Sequence, residues 1–180
     1  MAQPTVFDRI LRPNVKGWRE LQRALELLQG VSAEFFNNLT GDPTSYTPTW
    51  TAVTTNPRVG TADGTYTAEY FRFFRWCFVS IYIKFGTIGA APNWSIGSGA
   101  YSWTLPITPL TDLTWTGQGL IIDDSAGDTA RIITPYIDLS DNLISAWLEA
   151  SPNQLGSGSP ITFAANDEII IQIGYPVEAE

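Results

Sequence analysis

Beyond residue 43 no apolar run in this chain keeps a helical period. Short runs rich in Thr, Tyr, Val, Ile and Trp recur instead between clusters of Gly, Pro, Asn and Asp, which is how strands joined by turns read. The runs predict strands near Thr47–Val53, Gly64–Phe71, Trp76–Phe85, Tyr101–Leu105, Gly119–Ile122, Thr129–Ile137, Leu143–Glu149 and Glu168–Gly174. Strands without helical breaks predict a mainly β fold, an antiparallel jelly-roll-type sandwich. Gly97-Ser98-Gly99 reads as a turn entering the Tyr101 strand, and Gly127 as a hairpin residue of positive φ.

The clearest strand is Trp76–Phe85. Cys77, Val79, Ile81, Ile83 and Phe85 share one face, and Trp76, Phe78, Ser80, Tyr82 and Lys84 the other. A half-buried strand alternates apolar with polar, yet here the second face is largely aromatic. Either both faces are covered within the sandwich, or one meets a neighbouring subunit. Ile169, Ile170, Ile171 and Ile173 form a near-continuous apolar run, as expected of a buried central strand. Cys77 alternates with core residues and reads as a small buried hydrophobe.

The N-terminal segment follows another rule. Trp18, Leu21, Leu25 and Leu28 make a heptad seam, extendable to Leu11 and, past Ser32, to Phe35 and Leu39. Asn14 to Gln29 is predicted helical, and a second short helix is predicted near Ser32–Asn38. Isolated helices of this length are marginal, so the seam must pack on copies of itself, on its own β domain or on a partner. Gly41-Asp42-Pro43-Thr44-Ser45 is a turn cluster. The chain therefore divides into a helical anchor or trimerisation segment, residues 1–42, and a β head, residues 43–180.

Composition narrows the chemistry. With 180 residues and 44% apolar content the chain can bury a core without staples. It has no His and a single Cys, which excludes His-dependent catalytic relays, imidazole-built metal sites, an intrachain disulfide and a zinc finger. Only 16% of residues are charged, with a net charge of −8 that argues against a nucleic-acid partner. No apolar run approaches the roughly 20 residues of a membrane span, and the opening residues lack the apolar core of a signal peptide. Synthesis in the cytoplasm, without export by that route and without a membrane partner, is the expectation. The charge is split: residues 1–30 carry five basic and three acidic side chains (+2), residues 31–180 five basic and fifteen acidic (−10). Such asymmetry implies two surfaces with different tasks.

Candidate sites are few. Asp123, Asp124 and Asp128 crowd one short loop that could offer oxygens to a hard cation, but EF-hand spacing is absent, and a polar hairpin turn with no metal is the favoured reading of the residues. Asp63, Glu69, Asp112, Asp138, Asp141, Glu149, Asp167 and Glu168 could supply a glycosidase pair, yet nothing in the sequence pairs any two. The glycines form no phosphate-binding loop, and no cofactor is expected. Trp50, Trp76 and Trp103 fall in predicted strands. Trp94 and Trp115 fall in predicted loops, where an indole either stacks on a sugar ring or folds back as a lid on the sandwich.

Tyr46-Thr47-Pro48-Thr49-Trp50-Thr51 resembles the opening of β domains in phage fibre, minor tail and head-decoration proteins. The later segments also resemble that pattern: Val59 to Thr65 with Tyr70, Val79 to Gly86, Gly97 to Pro106, and Asn166 through Tyr175. The likeness spans roughly residues 46–175. It implies a homotrimer of jelly-roll heads on an N-terminal helical stalk attached to a bacteriophage virion, assembled from protein made in the host cytoplasm. On that reading the basic segment docks on other virion proteins, and trimer formation buries the Trp18, Leu21, Leu25, Leu28 seam and the Trp76, Phe78, Tyr82 face. The acidic head, with Trp94 and Trp115, contacts host-surface polysaccharide without enzymatic chemistry. A pure capsid decoration protein without ligand and a small glycan depolymerase are the alternatives.

Overall fold

The structure is a computed structural model. It describes residues 43–178 except 62, 111–112, 128, 139–141, 150–152 and 159. The expected helices near 14–29 and 32–38, and the seam of Trp18, Leu21, Leu25 and Leu28, lie outside the described residues.

The described residues form twelve strands: β1 (Thr44–Tyr46), β2 (Trp50–Ala52), β3 (Thr65–Phe73), β4 (Trp76–Lys84), β5 (Gly99–Thr104), β6 (Trp115–Thr116), β7 (Gln118–Asp123), β8 (Thr129–Asp138), β9 (Leu143–Leu148), β10 (Gly156–Ser157), β11 (Pro160–Ile161) and β12 (Glu168–Pro176). They join in one curled, mainly antiparallel sheet in the order β1-β3-β4-β12-β7-β8-β9-β5-β10-β11, with β2 paired to β5 and β6 to β8. Only β10 and β11 pair in parallel among these. All eight expected strands are present, with shifted ends. The Thr47–Val53 run is the exception in detail. Pro48 lacks an amide proton for a ladder, and pairing there splits into β1, which joins β3, and β2, which joins β5.

Alternation decides the inside. Cys77, Val79, Ile81 and Ile83 of β4 are buried, as are Ile169, Ile171, Ile173 and Tyr175 of β12. β12 lies between β4 and β7, the central place expected of its isoleucine run. Ile170, however, faces the other side and is only half-buried. Across the enclosed space an aromatic cluster closes the core. Trp50 stacks on Trp103 at 6.0 Å and meets Tyr101 edge-on at 5.1 Å, and Phe85 stacks on Phe163 at 4.9 Å. Rings of this size, fully removed from water, supply much of the apolar burial that stabilises a domain.

Two backbone positions follow the expected turn chemistry: Gly97 and Gly127 have φ of 64° and 82°. Gly86 is needed for another reason. A Cβ there would overlap the carbonyl oxygen of Asp63 and lie 2.7 Å from Trp94 Nε1. Gly86→Ala is therefore expected to lower unfolding stability by about 1–3 kcal/mol, the usual range for overpacking; a denaturant midpoint equal to that of the wild type would refute the close approach.

Candidate functional site

The convex face of β3, β4, β12 and β7 carries what the core does not use. Antiparallel register lines its side chains up in rows. Nearest the β3–β4 turn, Phe73 lies opposite Trp76, and Trp76 opposite Pro176. The next row is Phe71, Phe78 and Gly174, and the third is Glu69, Ser80, Gln172 and Gln118. Beyond it come Thr67, Tyr82, Ile170 and Leu120, and finally Thr65, Lys84, Glu168 and Ile122, where Lys84 and Glu168 form an ion pair at 3.4 Å.

The aromatic end is built by a tight hairpin. Phe73 and Trp76 pair directly, leaving Phe74-Arg75 as a two-residue turn. Such turns need positive φ, which favours Gly, Asn or Asp, yet Phe74 takes φ of 53° and is 68% exposed. A bulky residue in this conformation is an outlier, so Phe74 carries no turn signal that sequence alone would show. Around it Phe73 meets Phe74 edge-on at 4.9 Å, Phe71 stacks on Phe78 at 4.9 Å, and Trp76 meets Trp115 edge-on at 5.3 Å. Phe71, Phe73, Phe74, Trp76 and Phe78 are all exposed. Arg75 is exposed in the turn itself, and the Arg72 guanidinium donates to the Glu178 carbonyl at 2.6 Å.

Beside this patch lies a groove of about 470 Å³. Phe71 and Phe78 wall it on one side, and Glu69, Ser80, Gln118 and Gln172 cross it. Gly117 and Gly174 lie in its lining at points of close approach. At Gly117 a Cβ would overlap the Gln172 carbonyl oxygen, and at Gly174 it would lie 2.9 Å from the Phe78 ring. The groove was missed in the sequence because its residues come from four strands. One local signal existed: Gln172 interrupts the isoleucine run at an outward position.

The residues singled out in the sequence fall as follows. Trp76, Phe78 and Tyr82 do share the outer face; Trp76 and Phe78 are exposed and Tyr82 is half-buried. Burial, with Glu168 adding to it, pushes the Tyr82 hydroxyl above its ordinary pKa. Trp94 is corrected as a ligand residue. It is 1% exposed, meets Phe85 edge-on at 6.0 Å, and sits so close to Gly60, Gly64 and Gly86 that none of them could carry a Cβ. An indole so enclosed has no face for a sugar; Trp94 is the lid. Its loop is tied down by Arg58, which donates to the carbonyls of Gly89 and Asn93 at 2.9 and 3.0 Å. Trp115 lies in β6 and not in a loop, half-buried against the core and Trp76.

The acidic loop is organised as a turn. Asp123, 7% exposed, accepts from Ser125 Oγ at 2.7 Å, and Asp124–Ala126 form one 3-10 turn before Gly127. Asp128 lies outside the described residues. Among the described residues no group of three or more His, Cys, Asp or Glu is placed to hold a metal ion. Asp167, fully buried, accepts from the amides of Ala164 at 2.7 Å and Ser125 at 3.3 Å. Its carboxylate thus holds two turns together.

Comparison with family models, with characterised proteins and with solved structures finds no match for this chain. Among the described residues no helix is long and apolar enough to cross a membrane. The chain's role must therefore be read from its own surface.

Proposed function

We propose that this chain is a structural protein of a bacteriophage virion, the head of a fibre or capsid spike, working without enzymatic chemistry. On this reading residues 43–180 are a jelly-roll-type head, residues 1–42 a helical anchor that docks on other virion proteins, and the assembly a homotrimer. The resemblance of residues 46–175 to phage fibre and decoration heads supports it, as does the change of charge after residue 30.

The observation that carries it is the aromatic hairpin tip. Five exposed aromatic side chains on one hairpin exceed what a monomer leaves in water without purpose. Aromatic and arginine side chains together are typical of association surfaces. A strained φ at Phe74, where Asn or Gly would fold more easily, is the kind of local expense that contact surfaces retain. Phe73, Phe74 and Trp76 form the centre of the contact between copies, with Phe78 at its margin.

Mass-resolved light scattering of the full chain tests this. A trimer is expected, and Phe74→Ser with Trp76→Ser should raise the concentration at which it dissociates by tenfold or more, since two central aromatic contacts are worth over about 1.4 kcal/mol. A monodisperse wild-type monomer would overturn the reading; a trimer unaffected by the double substitution would move the contact away from the tip.

A further inference from the structure

We propose that the outer-face groove binds an uncharged polysaccharide, laid across strands β3, β4, β12 and β7. This rests on the reading of the chain as a virion head and names a site and ligand chemistry for it.

Glu69, Ser80, Gln172 and Gln118 occupy one register level on four adjacent strands, each directly opposite the next. All four are exposed. With strands about 4.8 Å apart, the row runs for about 14 Å, the scale of a short oligosaccharide. Each glutamine amide both donates and accepts, the serine hydroxyl does both, and the carboxylate accepts. Neighbouring hydroxyls of a sugar ring, which also donate and accept, can be matched by such a row without burying an unpaired group.

The wall supplies the second half of sugar recognition. Phe71 and Phe78 are stacked at 4.9 Å along the row, and the Phe78 ring lies over Gly174. The exposed carbon surface of Phe71 and Phe78, each 37% exposed, offers the C–H side of a pyranose an apolar wall while the row meets its hydroxyls. The groove's volume of about 470 Å³ falls in the range of small-ligand sites.

Charge selects among polymers. Among the described residues that line the groove none is cationic and Glu69 is the one charged member, within a region, residues 31–180, of net charge −10 from five basic and fifteen acidic side chains. A phosphate- or uronate-bearing polymer would meet repulsion with nothing to offset it. An extended peptide is disfavoured for a different reason: it adds to a free strand edge, whereas at the level of the row Glu69 is already paired with Ser45 of β1. With one carboxylate among its described lining residues, where most glycoside hydrolases need two, the groove retains its ligand without cleaving it.

The test is a printed array of neutral and anionic glycans probed with the full-length protein, followed by titration of the best neutral oligosaccharide. Signal on neutral hexose or N-acetylhexosamine chains is expected. Gln118→Ala with Gln172→Ala, both on the surface, should weaken it at least tenfold, the loss of two hydrogen-bonding groups, with circular dichroism and light scattering unchanged. Phe78→Ala should weaken it as well. No signal on any glycan, signal confined to anionic glycans, or neutral binding untouched by the glutamine pair would each overturn the site. Because oligomeric state is read on the same samples, loss of the groove and loss of the trimeric-head reading are separable.

Discussion

Trp94→Ala is expected to destabilise the head by about 3–5 kcal/mol, the range for removing a large aromatic from a core. The reason is local. Three glycines, Gly60, Gly64 and Gly86, surround the indole, and backbone approaches it from several sides, so the vacated space cannot be refilled by neighbouring side chains. Phe85, which meets Trp94 at 6.0 Å and stacks on Phe163, would lose one of its own contacts. Marginal stability of about 5–15 kcal/mol makes such a loss large, and chemical denaturation followed by circular dichroism would read it directly. Trp94→Phe should recover part of the loss by refilling some of the volume. If Trp94→Ala left the unfolding midpoint in place and lowered glycan binding instead, the indole would be a ligand residue after all.

The second large effect is alkaline unfolding. Burial raises the hydroxyl pKa values of Tyr46, Tyr66, Tyr101 and Tyr175 far above the ordinary value of about 10. At Tyr175 the neighbouring Cys77 adds to the effect, and the bond to the Ile107 carbonyl opposes it. Burial likewise raises the Cys77 thiol. The sign follows from proton counts. Above about pH 10 the unfolded chain releases tyrosine protons that the folded head keeps, so the folded state binds more protons and stability falls as pH rises. Below about pH 10 both states keep them, and the contribution is fully present.

Tyr101 and Tyr175 are fully buried, and their hydroxyls donate to the carbonyls of Ile96 at 2.7 Å and Ile107 at 2.9 Å. These two alone give a slope of about 3 kcal/mol per pH unit once the unfolded phenols are ionised; the half-buried Tyr46 and Tyr66 add less. Cooperative unfolding is therefore expected at about pH 12 for a head at the lower end of ordinary stability, about 5 kcal/mol, and at higher pH for a more stable one, with tyrosinate absorbance rising together with loss of β structure. Titration of all seven tyrosines near pH 10 with the sheet intact would contradict the enclosed hydroxyls.

Much of the fold was legible because strand alternation is local. Cys77, Val79, Ile81 and Ile83 could be assigned inward from their spacing alone, and they are inward. The isoleucine run of β12 likewise announced a central strand, Gly97 a turn and Gly127 a positive φ. Where reading failed, something non-local intervened. Trp94 sits in a loop, and a loop indole is lid or ligand according to what lies beneath it; three distant glycines provide the cage. Trp115 joins a strand too short to show a period, held by its pairing with Ile137 of β8. The Phe74-Arg75 hairpin contradicts its own turn preferences and exists because nine residue pairs between the strands that flank it zip β3 to β4.

The same distinction separates the two halves of the candidate surface. That one face of Trp76–Phe85 is aromatic follows from period two in a single strand, and so an association surface could be anticipated from the chain itself. The groove could not. Glu69, Ser80, Gln118 and Gln172 are unremarkable polar residues far apart in the sequence. They become a row through inter-strand register, which depends on burying Ile81, Ile121 and Ile171 together on the opposite face. A slip of one residue in any of these strands would exchange its buried and exposed sets, so the core that excludes water also aligns the polar groups across the outside.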